Sequence, residues 1–185
     1  SRNFPNIKNF LIHQLGLGKL FKNHSWIIDQ NKNSPSSIVP TIIGAAFMVR
    51  RDLFNQLNGF DEDFFVYFEE VDFCYRAYLK GFHTKFFSTS KITHIGNITS
   101  KSVPSRILAY SIMSRLIYFK KHRLYYEYFL ILFYTLFVES LIRFVQNCLY
   151  IKNPFLIIKS YLYLVFKLSA LSTLLKIKPI TKKNI

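Results

Sequence analysis

Charge and apolar character are both concentrated in the second half of this 185-residue chain. Residues 101–185 hold 14 Lys and Arg against two acids, Glu127 and Glu139, a net charge of +12. The same region carries two long aromatic and aliphatic stretches, Tyr125–Tyr150 and Phe155–Leu175. Residues 1–100 are nearly balanced, with 11 basic and 8 acidic residues. Basic regions meet nucleic acid or anionic membrane surfaces. Nucleic-acid binders set their cations on a polar face or loop; here the cations punctuate apolar helices. A membrane surface is therefore the expected partner and nucleic acid is not.

Neither apolar stretch reads as a clean span. Tyr128–Val138 is an apolar run of 11 residues if Thr135 is allowed, and a span needs about 20. Glu127, Glu139 and Arg143 frame or interrupt the first stretch, and Lys159 and Lys167 interrupt the second. Helices lying in the interface, or a hydrophobic hairpin dipping into it, fit this spacing. Packing as ordinary core helices is the alternative. One span through Tyr126–Tyr150 stays open if Glu139 and Arg143 pair.

The first half has the grammar of a folded domain. Abundant Phe (20) and Tyr (12) with six Gly and six Pro exclude a disordered chain. Two cysteines make neither a disulfide framework nor a metal pattern. No secretory signal is read at the N-terminus, and the opening Ser1 admits a piece of something longer. An apolar-periodic piece from Phe10 to Phe21 suggests a helix. Asn31–Ser37 reads as a loop closed by Pro40, and Thr41–Val49 as a buried strand in which Gly44 marks close approach of a backbone or ligand. Short helices are expected over Arg50–Gly59 and Glu69–Lys80, the second with an acidic first turn and a Gly81 stop. Thr84–Ser88 and Lys91–His94 read as strands, and Ile107–Lys121 as a helix with a basic end.

Six of the ten carboxylates fall within twelve residues: Asp61, Glu62, Asp63, Glu69, Glu70 and Asp72. Crowded carboxylates raise one another's pKa or are held by a cation, which suits general-base work or a divalent metal. A helix N-terminus with a solvated acidic loop before it would account for half of them. The interleaved rings Phe60, Phe64, Phe65, Tyr67 and Phe68 favour a cleft.

These residues form an ordered series: Gly44-Ala45-Ala46-Phe47-Met48-Val49-Arg50-Arg51, Gly59-Phe60-Asp61-Glu62-Asp63-Phe64-Phe65, Tyr67-Phe68-Glu69-Glu70-Val71-Asp72-Phe73-Cys74-Tyr75-Arg76, Gly81, His94 and Ser100. The series resembles the C-terminal half of family 2 glycosyltransferases, in particular rhamnosyltransferase-like and galactofuranosyltransferase-like members. Tyr110, Ser114-Arg115 and Lys120-Lys121-His122 resemble the helix that follows there. The resemblance implies an α/β fold: the C-terminal part of a GT-A nucleotide-diphospho-sugar transferase domain, then apolar, basic membrane-associated helices. The expected divisions are 1–104 for the acceptor and base half, 105–123 for an amphipathic basic helix, 124–176 for apolar helices and 177–185 for a basic tail.

It further implies that Glu70, beside Glu69, is the base that deprotonates an acceptor hydroxyl. Glu stands there where the family more often has Asp. Gly44, Asp61, Glu62, Asp72 and Arg76 would line the substrate site, although Asp72 admits a purely structural role and Arg76, one turn on, could pair with it. His94 would join a divalent metal, Mn or Mg, at the diphosphate of a nucleotide-sugar donor. The acceptor would be a glycan or lipid-linked glycan at the cytoplasmic face of a bacterial plasma membrane. Asp61-Glu62-Asp63 matches the D-x-D metal motif only formally, because it follows Gly59-Phe60 in a turn rather than ending a buried strand. The donor-binding half is thus expected to lie elsewhere. A non-catalytic, membrane-associated fragment or subunit is the competing expectation.

Overall fold

The computed structural model describes residues 2–14, 36–94, 103–149 and 153–174, the last segment with side chains as far as Leu168. The chain divides into two units, one built from 1–64 and 68–94, the other from 65–67 and 95–184. The first unit closes at His94, where the sequence suggested a division at 104.

The first unit mixes helices with a small sheet: α1 (Ile7–Gln14), β1 (Ser36–Val39), α2 (Arg51–Gln56), α3 (Glu69–Leu79) and β2 (Thr84–Phe87). In α1 the Asn6 side-chain oxygen accepts the Asn9 N–H at 2.8 Å, capping the first turn; the rest of the Phe10–Phe21 piece lies outside the described residues. Leu53 and Leu57, and Phe73 and Ala77, are spaced one turn apart. Each pair therefore shares a face, and the four form a buried core against which Phe47, Val49, Phe54 and Phe82 pack. Burying a ring such as Phe73 contributes about 2–3 kcal/mol.

Both short helices end as their glycines require. Asn58 and Gly59 adopt φ of 56° and 71°, and the Gly59 N–H returns to the Phe54 carbonyl at 2.9 Å. A Cβ at Gly59 would also meet the Phe54 ring at 3.2 Å, so conformation and space both select glycine. Gly81 (φ 84°) closes α3 in the same hand.

The sheet departs from expectation. β1 and β2 pair antiparallel, with Ile38 opposite Lys85 and Val39 opposite Thr84. The strand therefore comes before Pro40, taking Ser36 and Ser37 out of the expected loop. Thr41–Val49 is not a buried strand: only Thr41 pairs, with Arg2, and a turn follows at Gly44-Ala45. A buried strand needs neighbours to satisfy its backbone groups, and no described strand runs beside 42–49. Ile43, Ala45, Ala46 and Met48 are accordingly exposed, Met48 to 97%, while Phe47 and Val49 reach the core. Lys91–His94 is likewise exposed and forms no ladder.

One polar clamp fixes α3. Asp72 is fully buried, and Arg76 Nε donates to its Oδ2 at 2.7 Å. The other two guanidinium nitrogens donate to the Leu57 and Gly59 carbonyls at 2.6 and 2.9 Å. All three nitrogens of one guanidinium are thus engaged, tying α3 to the turn that ends α2.

The second unit is helical: α4 (Pro104–His122), α5 (Tyr125–Phe133), a π-helical segment (Tyr134–Glu139), α6 (Ser140–Leu149) and α7 (Pro154–Leu174). Pro104 sits in the first turn of α4, where its missing N–H costs nothing. The expectation of an amphipathic helix over 105–123 is corrected. Ile112 to Phe119 are buried without interruption, so that stretch is enclosed on all sides. Ser114 Oγ donates to the Val66 carbonyl at 2.7 Å, and the Tyr110 and Tyr163 hydroxyls meet at 3.0 Å. The interrupting charges of the apolar stretch turn inward and pair. Glu139 is 2% exposed, with Arg115 at 2.5 Å and Arg143 at 2.8 Å. Arg115 also donates to Thr135 Oγ1 at 2.8 Å. α5, the π-helical segment and α6 run on as one helix of 25 residues, long and apolar enough to cross a membrane.

Removing one member of a buried pair strands the other. Asp72→Ala should lower the unfolding free energy of the first unit by about 3 kcal/mol, read as a shift in its urea midpoint. The Arg50–Asp52 pair, whose side chains are 70% and 65% exposed, should be removable by Arg50→Ala without moving that midpoint.

Candidate active site

The first turn of α3 is entered through an unusual backbone. Tyr67 and Phe68 are consecutive and both left-handed, with φ of 63° and 71°. Bulky residues in that region cost on the order of 1–3 kcal/mol each, and such outliers gather where geometry serves function. The residues that follow directly are Glu69 and Glu70. The strained entry was not legible in the sequence, since aromatic residues are among the least suited to positive φ.

Glu70 lies under the segment that follows β1. The position a Cβ would take on Gly44 is 3.8 Å from Glu70 Cβ and 4.0 Å from its carboxyl carbon. Cys74, one turn along α3, is buried on the same face, its thiol interacting with the Ile42 backbone and the Thr84 side chain. Burial pushes the Glu70 pKa upward from its ordinary 4.5, and the adjacent Glu69 charge adds to the effect. The Glu70 and Val71 backbone N–H groups and the Arg2 charge pull it partly back. Glu69 Oε2 is buried and accepts no hydrogen bond among the described residues. Two carboxylates at a helix start, one with a raised pKa and the other with an open acceptor, can take a proton from a hydroxyl placed between them. Cys74 is the reverse case. Desolvation raises its thiol pKa, which makes it a packing group rather than a nucleophile.

The other candidates separate. Asp61 shapes a turn: its Oδ1 accepts the Asp63 N–H at 3.0 Å and its carbonyl accepts the Phe64 N–H at 3.1 Å. Glu62 is exposed on that turn. Asp72 and Arg76, expected at the substrate, are committed to the clamp, so a hydroxyl could reach Asp72 only by displacing the guanidinium. Gly44 needs neither special φ nor special space, as an added Cβ would make ordinary contacts only. His94 is exposed, and no three His, Cys, Asp or Glu among the described residues come together as a metal site. The residues described therefore do not fit the divalent metal on their own. Of the rings expected to line a cleft, Phe64 is buried, Phe68 is half-buried and Phe60, Phe65 and Tyr67 are exposed. Phe60 packs on Phe47, Phe54 and Phe73 at 5.8, 5.7 and 5.4 Å.

Residues 27–99 match the family described as the N-terminal domain of galactosyltransferase. The match contains the turn at Gly44, the acidic turn and all of α3. The chain is also 25% identical over 124 residues to rhamnosyltransferase WbbL of Escherichia coli strain K12, covering 66% of this chain and 45% of that protein. The chain thus spans less than half the length of the curated relative. No solved structure matches. The two matches support a glycosyltransferase-family domain.

A raised carboxyl pKa means that the folded protein binds the proton more tightly than the unfolded chain. The resulting stability is full below the ordinary value of 4.5 and is lost as pH rises through the raised value. Glu70→Gln removes the ionisation and its cost. The variant should therefore gain urea resistance relative to wild type between pH 4 and pH 8, with the larger advantage at pH 8. Equal pH profiles for the two proteins would show that Glu70 is not desolvated.

Proposed function

We propose that this chain is the acceptor and base portion of an inverting glycosyltransferase that uses a nucleotide-sugar donor. The observation that carries the reading is the Glu69–Glu70 pair on the strained start of α3, with Glu70 raised in pKa. Glu70 takes the proton of an acceptor hydroxyl as that oxygen bonds to the anomeric carbon. The bond from that carbon to the nucleotide diphosphate breaks, and its electron pair leaves with the diphosphate. A raised pKa brings the carboxylate nearer the operating pH, where a base is most effective. The matched family and the relative suggest galactosyl- or rhamnosyl-type transfer, here to a cell-surface polysaccharide or lipid-linked glycan. Family 2 membership and a place at the cytoplasmic face of a bacterial plasma membrane belong to the same proposal. Mn or Mg would accompany the donor diphosphate, and no step is assigned to it here.

Donor binding distinguishes this reading from that of a non-catalytic fragment. Transfer is expected once the chain is supplied with its donor-binding portion, and Glu70→Gln should lower kcat by about 10²–10⁴-fold while nucleotide-sugar affinity holds. Turnover of the variant at the wild-type rate would remove Glu70 as the base. Gly44→Ala should leave stability unchanged, so a rise in KM would report a substrate passing over that turn.

A further inference from the structure

We propose that the helical pair Tyr125–Leu149 and Pro154–Leu174 is inserted in the hydrocarbon of an anionic bilayer, entering and leaving through the same leaflet. Four observations carry it. The first helix has 25 residues, about 37 Å at 1.5 Å per residue, against a hydrocarbon core of about 30 Å. Its exposed surface is largely apolar, Gln146 apart: Phe129, Leu130, Phe133, Phe137, Leu141 and Leu149 are each at least 52% exposed. The second helix, which packs against Ser140–Leu149, exposes Phe155, Ile158, Leu162 and Phe166 at one-turn spacing.

Several polar groups on these helices are satisfied within the protein, as a lipid solvent favours. Glu139 is held by Arg115 and Arg143. Ser140 and Ser160 hydroxyls donate to the Leu136 and Leu156 carbonyls at 2.5 and 2.7 Å, and the Asn147 amide donates to the Arg143 carbonyl at 2.8 Å. The ends carry the marks of an interface. Tyr125 and Tyr126 stand exposed in the first turn, at the level where amphipathic rings settle. Basic residues bracket the pair unevenly: Lys120, Lys121 and Arg123 precede it and Lys176, Lys178, Lys182 and Lys183 follow it. The connection between the helices holds Lys152 alone. That asymmetry puts both ends against anionic headgroups of one leaflet. Lys159, near the connection, is exposed and long enough to snorkel towards the far headgroups.

Cys148 supplies a native probe, because it is exposed at the far end of the first helix whereas Cys74 is buried. The 185-residue chain is mixed with vesicles containing phosphatidylglycerol, floated, washed at high salt and treated with a membrane-impermeant maleimide. Insertion predicts salt-resistant flotation and loss of Cys148 labelling, restored by detergent. The double variant Phe133→Glu, Phe137→Glu should lose flotation while its helical circular dichroism holds. If that variant unfolds, salt resistance and Cys148 protection of the unaltered chain decide the matter. Flotation that salt reverses, with Cys148 still labelled, overturns insertion in favour of peripheral adsorption. A defined dimer that does not float overturns it in favour of a second copy covering the face. The inference deepens the membrane placement proposed above but draws only on the second unit, so its failure would leave the Glu70 test standing.

Discussion

The guanidinium of Arg76 is the joint on which the first unit turns. A helix of eleven residues is too short to hold its own orientation by propensity. Packing of Phe73 and Ala77 on Leu53 and Leu57 holds α3 against α2, but apolar contacts tolerate sliding. The bonds from Arg76 to Asp72 and to the Leu57 and Gly59 carbonyls do not. They fix the register of α3 against a turn that is itself locked by the left-handed Asn58 and Gly59. The first turn of α3, with Glu69 and Glu70, is positioned as a consequence. Tyr67 and Phe68 can then be held at positive φ because the helix after them is anchored from within.

Much of this was legible where local chemistry decides. Asn58-Gly59 and Gly81 announce the ends of α2 and α3, and the acidic first turn announces where α3 begins. The Asp72–Arg76 spacing announces a pair, but not that Asp72 is buried, nor that Arg76 reaches back to α2. Those facts depend on contacts seventeen to nineteen residues away. The strand over Thr41–Val49 failed for the same reason. Its β-branched start favours extension, but a strand is made by neighbours, and Pro40 puts the paired residues before it rather than after it. In the second unit the composition gave apolar helices correctly and their faces wrongly. Glu139 reads as an interruption because a one-dimensional pattern cannot show it closing on Arg115, 24 residues away.

The candidate site shows the same division. That the acids of 61–72 differ in role follows from spacing only in part. Asp61 is fixed by its own turn, which a Gly-Phe-Asp-Glu sequence suggests. That Glu70 is desolvated is tertiary information, set by the segment at Gly44 that crosses above it. The rings interleaved with the acids divide: Phe64 is buried, while Phe60, Phe65 and Tyr67 stay exposed, a difference that adjacency in sequence cannot show.

Asp72, Glu139 and Glu70 are withdrawn from solvent in different ways. Asp72 is held by one arginine at 2.7 Å, and Glu139 by two. Charges neutralised so fully are structural, since protonating them would break the bonds that justify their burial. Among the described residues no arginine hydrogen-bonds to Glu70: burial and the Glu69 charge raise its pKa, and backbone N–H groups and the Arg2 charge offset them only in part. Asp72 and Glu139 are held by arginines, whereas Glu70 stands beside a second carboxylate at the left-handed entry to α3 with no guanidinium bonded to it among the described residues. A desolvated carboxylate without a guanidinium partner suits proton transfer, which is why Glu70 is the residue proposed for that role.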